Sequence, residues 1–132
     1  MVSRLELVLK ELNENGNFRA SIFSTATGLV LASQKVDDTD EKAIAAMSSL
    51  LSDAADKARE ELSLSKLDTV KIKFIEDIII MRNIFIPEGD TNFILAILAK
   101  VPESDDVEHY YDQLLEWAIK NCKEDLIKII SI

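Results

Sequence analysis

The chain has 132 residues, 48% of them hydrophobic and 30% charged. That balance excludes a disordered polypeptide, and the length suits one domain able to bury about two-thirds of its unfolded surface without a disulfide or metal staple. Fifteen Lys and Arg against 24 Asp and Glu leave a formal charge of −9, which disfavours nucleic acid and anionic membrane surfaces as partners.

Taken in chain order, Ser3 to Asn13 reads as a helix with Leu5, Val8, Leu9 and Leu12 on one stripe. Ser3 and Glu6 have capping-box spacing, and Gly16 is placed to end the helix in a left-handed conformation. Phe18–Ser24 and Leu29–Ser33 read as a hairpin closed at Gly28. A long helix follows over Thr39–Leu62, capped by Asp38 with Glu41. Its apolar positions (Ala43, Ile44, Met47, Leu50, Leu51, Ala54, Ala55, Ala58, Leu62) cover a broader arc than one seam requires, with Ala46 extending the Leu50 edge.

Three strands come next. Asp68–Ile75 alternates, with Val70, Ile72 and Phe74 opposite Thr69, Lys71 and Lys73. Lysines on the wet face of such a strand discourage edge aggregation. Ile78–Ile86 and Phe93–Ala99 are nearly continuous apolar runs, the mark of strands covered on both faces, joined by a turn at Pro87–Asp90. After Pro102 a final helix begins, with Asp105 and Glu108 at capping spacing and Val107, Tyr111, Leu114, Ala118 and Cys122 on one stripe. Leu126–Ile132 continues the helical spacing, and a short strand is the alternative there. The expected fold is α+β, a five-stranded antiparallel sheet with helices on both faces in the order α-β-β-α-β-β-β-α. It forms a single domain over residues 1–132, of which 123–132 are a C-terminal extension.

No chemistry-bearing constellation emerges. Three glycines, at 16, 28 and 89, make no phosphate-cradling loop. One histidine, His109, and one cysteine, Cys122, exclude an intrachain disulfide and give no multi-histidine or thiolate metal site. On a continuous helix those two residues lie about 20 Å apart, too far to act as a catalytic couple. The carboxylates fall at helix starts and on polar helix faces. The chain is therefore read as a non-enzyme without catalytic, cofactor-binding or metal-binding residues. Lys71 and Lys73 are possible partner contacts, with edge protection as the plainer reading. Arg82 and Asn83 interrupt an apolar strand and must find polar partners.

The element order, the hairpin Ala20–Ser33 with its Gly28-Leu29-Val30-Leu31-Ala32-Ser33 segment, and the alanine- and serine-rich central helix resemble the Roadblock/dynein light chain family. The resemblance runs from about Arg4 to Cys122. It departs at Thr27, where many members are acidic, and in the isoleucine-rich tail. It implies homodimers, or heterodimers with a paralogous roadblock protein, in which central helices pack together and third strands pair edge to edge. The implied interface is Ala43, Ala46, Met47, Leu50, Ala54, Val70, Ile72 and Phe74. It further implies a dimeric module, free of cofactors, that binds and regulates or scaffolds a Ras-like small GTPase. An arginine finger is one mechanism, but no motif assigns that role to Arg59 or Arg82.

The broad apolar arc of the central helix agrees with association, since such exposed surface marks contacts. The competing reading is a profilin-like domain sensing a small ligand, with Arg82, Asn83 and Phe85 lining a cavity of at least about 300 Å³. With no secretory leader and no apolar run long enough to span a bilayer, a cytoplasmic protein without direct membrane insertion is expected.

Overall fold

The computed structural model describes residues 3–131. Residues 1, 2 and 132, which the single-domain reading includes, and with them the end of the alternative Leu126–Ile132 strand, lie outside the described residues. The elements are α1 (Arg4–Gly16), β1 (Ala20–Thr25), β2 (Val30–Lys35), α2 (Glu41–Leu62), β3 (Thr69–Lys73), β4 (Asp77–Ile86), β5 (Thr91–Lys100) and α3 (Asp105–Ile130), with a single 3-10 turn at Pro87–Gly89. All strand pairs are antiparallel, in the order β2-β1-β5-β4-β3. This is the expected α+β fold, with β2 and β3 at the two edges.

The two central runs behave as their sequences require. In β4 and β5, successive side chains enter opposite cores. Ile78, Ile80, Ile84, Phe93, Leu95 and Ile97 join Leu9, Leu12, Phe23, Leu115 and Leu126 under α1 and α3. Ile79, Met81, Ile94 and Ala96 join Ile22, Ile44 and Ala45 under α2. The first core is the larger, because two helices cover that face and only one covers the other.

Helix boundaries differ from expectation for local reasons. Ser3 caps α1 by accepting from the Glu6 N–H, but Asn17, not Gly16, takes the left-handed turn (φ 54°). Gly16 is the last helical residue, and the Phe18 ring occupies the space where its Cβ would stand. Asp40 rather than Asp38 caps α2, its carboxylate accepting from the N–H groups of Lys42 and Ala43 at 3.1 Å. Glu41 turns away to pair with Lys35 at 2.8 Å. In α3 the cap is Ser104, which accepts from Val107 N–H. That helix then runs unbroken to Ile130, with Leu126 fully buried and the Ile130 side chain against Gly89. Residues 126–130 are therefore helix.

Candidate interaction surface

Only Ile44, Ala45 and Ser48 of α2 are buried. The hairpin turn supports this end of the helix from below. Gly28, at φ +94°, lies against the backbone of Ala45 and Ala46, and Ser49 donates to the Ala26 carbonyl. The remainder of the apolar arc faces outward. Ala43, Ala46, Met47, Leu50 and Ala54 are all exposed, Leu50 to 70%.

On the same side of the sheet, β3 offers its open edge. Val70 packs against the core beneath α2. Ile72 stands opposite Ile79 of that core and is half-buried. Just past the strand, Phe74 is 54% exposed and Ile75 96%. The two edges of the sheet differ in kind. β2 carries an irregularity at Leu31, and Asn13 donates to its Gln34 carbonyl; such bulges and contacts blunt an edge. β3 is five regular residues with neither bulge nor proline.

Lys71 and Lys73 project to the other side, toward α3. Lys71 pairs with Asp112 at 3.1 Å and Glu108 at 3.2 Å, and Lys73 with Glu108 at 2.9 Å. Partial burial pulls Lys71 down, but the hydrogen bonds and charges of Asp112 and Glu108 outweigh it and hold the ammonium above its usual range. The bonds from Lys73 and then Lys71 hold Glu108 below the ordinary carboxylate range. The two lysines thus strap the edge strand to α3, a role the period-2 pattern could not reveal because their partners lie 35 to 41 residues away in sequence.

Arg82 and Asn83 also part company. Arg82 faces α3 and binds Glu116 at 2.7 Å, with its side chain 13% exposed. It therefore cannot join Asn83 and Phe85 around one cavity, because consecutive strand residues face opposite ways. Asn83 instead donates to the Leu67 carbonyl and to Asn92 Oδ1, both at 3.2 Å. With Phe85 it floors an open cleft of about 300 Å³ between the second half of α2 and the β4–β5 end of the sheet.

His109 is exposed beside Gln113. Cys122 is buried, and that burial, with the charge of Asp125, pushes its thiol up to about 12. Among the described residues no group of three or more His, Cys, Asp or Glu is placed to hold a metal, and no helix is long and apolar enough to cross a membrane.

A five-stranded antiparallel sheet between one long helix and a helix pair, with its third strand open at the edge, defines a small α+β module whose presented features are surfaces. The chain belongs to the Roadblock/LC7 domain family, whose model matches residues 4–99. No curated protein sequence matches the chain. Among solved structures it is similar to Myxococcus xanthus MglB, at TM-score 0.79 and 10% identity over 96% of this chain and 97% of that one. A Roadblock/LC7 domain from Streptomyces avermitilis matches at TM-score 0.78 and 17% identity, covering 95% and 99%. The gliding protein MglB of Thermus thermophilus matches at TM-score 0.75 and 10% identity, covering 94% and 92%. At such identities these likenesses bear on the fold alone.

Proposed function

We propose that this protein is a non-catalytic dimeric module that binds a Ras-like small GTPase and regulates or scaffolds it. The observation that carries the reading is the apolar outer face of α2 beside the open edge of β3. A second roadblock chain, identical or paralogous, would cover Ala43, Ala46, Met47, Leu50 and Ala54 with its own α2. Its β3 would continue the sheet past Val70, Ile72 and Phe74. Burying about 800 Å² per partner would make an ordinary stable interface. Membership of the Roadblock/LC7 family supports the GTPase as partner, because regulators and platforms for such GTPases are what the family resemblance implies.

The arginines favour a platform over donation of a catalytic finger. All four are ion-paired within the chain: Arg4 with Asp125, Arg19 with Asp37 and Asp77, Arg59 with Asp56, and Arg82 with Glu116. A finger would have to leave its pair to reach a partner's phosphates, at a small cost for the three more exposed arginines and a larger one for Arg82. Pull-down of the source organism's small GTPases, each loaded with GDP or a non-hydrolysable GTP analogue, tests the proposal. Retention of at least one GTPase in one nucleotide state is expected, and retention of none in either state refutes the reading.

A further inference from the structure

We infer that the cleft between α2 and the β4–β5 end of the sheet is a receptor for an organic cation, a guanidinium, and that Lys66, lying over the Phe85 ring at its wall, is a captive stand-in for it. The inference is independent of dimerisation and of the GTPase.

The Lys66 ammonium lies 3.6 Å from the centroid of the Phe85 ring. Among the described residues it has no carboxylate within 4.0 Å, so the ring face is what holds it. An ammonium over a phenyl face at an accessible site is favoured only a few-fold over one left in water.

The cleft offers more than Lys66 takes. Asp53 and Asp90 line it and are in no ion pair among the described residues, whereas Asp56 is committed to Arg59 at 2.7 Å. Asn83 uses its amide N–H groups on Leu67 and Asn92. Its Oδ1 accepts no described hydrogen bond and is not walled off from solvent. An aromatic floor with a carbonyl acceptor and two unpaired carboxylates suits a planar fork of N–H donors, which can stack on the ring while bonding at its rim. Lys66 reaches the same ring from the chain segment between α2 and β3 with a point charge. An arriving guanidinium would displace it and exchange a single contact for several. Once Lys66 leaves, the lining holds three carboxylates and Arg59, a net charge of −2. The wider chain, at −9, also favours a cationic ligand.

The test titrates the full chain with three probes, followed by amide NMR shifts. They are a capped Gly-Arg-Gly peptide, the same peptide with citrulline for arginine, and spermidine. The arginine peptide should shift Lys66, Phe85 and Asn92 first, and citrulline, an uncharged isostere, should not. Lys66→Gln removes the internal competitor and should tighten the arginine peptide about threefold, and Phe85→Leu should weaken it by about the same factor. Lys10→Gln makes the same change in net charge on α1, across the sheet from the cleft, and should leave affinity within about 1.5-fold, since an exposed charge so placed is largely screened. Asp53→Asn, a surface change, should also weaken binding and keeps the test alive if Phe85→Leu misfolds. The arginine peptide should bind more tightly than spermidine; tighter binding of spermidine would mean that charge alone is read and would overturn the inference. Citrulline binding as well as arginine, shifts scattered over the acidic surface, or Lys10→Gln matching Lys66→Gln would each overturn the inference.

Discussion

The hydroxyl of Ser49 on α2 donates a 2.7 Å hydrogen bond to the carbonyl oxygen of Ala26 in the β1–β2 turn. That bond fixes the turn beneath the helix, and Gly28 supplies the positive φ the turn needs. Its φ of +94° is a conformation that side-chain-bearing residues avoid, and a Cβ there would meet the Ala45 carbonyl oxygen and Ser49 Cβ at 3.4 Å. Gly28→Ala should therefore destabilise the protein by about 1–3 kcal/mol. Urea denaturation should show a lower midpoint with an unchanged slope, because strain in the native state does not alter the surface exposed on unfolding.

Leu50 separates folding from association. At 70% exposure in the protomer, its replacement by Asp should change protomer stability by no more than about 0.5 kcal/mol. Across a two-fold interface, however, the same change brings two carboxylates together where apolar surface should meet. Like charges so placed cost several kcal/mol, enough to weaken a dimer at least about a hundredfold. Wild type should sediment as a dimer at micromolar concentration and Leu50→Asp as a monomer with native helix content by circular dichroism. Ile72→Asp tests the strand half of the interface in the same way. A wild type that is already monomeric there would rule the interface out.

The strap from β3 to α3 titrates in acid. Glu108 is held below its ordinary value by bonds from Lys73 and Lys71. A carboxyl depressed in the folded state adds stability that is complete above its unfolded pKa and is lost as pH falls through its folded pKa. Glu108→Gln should thus lower stability by about 1 kcal/mol at pH 7, the scale of a partly exposed pair of bridges. The gap to wild type should close as pH drops below the ordinary carboxylate range, and should narrow in high salt. Parallel urea melts at pH 7 and pH 3 check both directions.

Cys122 gives a kinetic handle on opening. With its thiol pushed up to about 12 by burial, almost none is thiolate at pH 7.5, and the thiolate is the reactive form. A disulfide reagent should label the native protein slowly, at a rate that rises with urea as the helix opens, and should label the unfolded chain at the ordinary thiol rate.

How far the sequence carries depends on how local the physics is. The apolar runs of β4 and β5 are short and bounded by turn residues, which suits strands covered on both faces, and their placement follows. The outward arc of α2 is equally legible, since Ala43, Met47 and Leu50 overfill the face that Ile44 and Ala45 already supply. Competing caps are not: Asp37, Asp38 and Asp40 are all suitable, and only the chain path decides that Asp37 bonds Thr39 while Asp40 caps the helix. Gly16 misled for a related reason, because the room it leaves for Phe18 is a tertiary demand that looks like a turn signal. Long-range polar pairing is least legible of all. Lys71 finds Asp112, and Arg82 finds Glu116, only after the sheet and α3 have met.

The last turns of α3 lie beyond the span of the family model, residues 4–99, yet they are integral to the core. Leu126 is fully buried among the residues beneath α1 and α3, and Ile130 lies against Gly89 in the β4–β5 turn. Truncating Leu126 to Ala removes three heavy atoms and leaves a cavity that packed neighbours close only in part, so the loss should be about 2–4 kcal/mol. Leu7→Ala on α1, 54% exposed, should lose less than about 0.5 kcal/mol. A denaturation midpoint for Leu126→Ala indistinguishable from that of Leu7→Ala would mean that the end of α3 is a detachable appendage. The expected large gap would make α3, through its last turns, part of the cooperative fold.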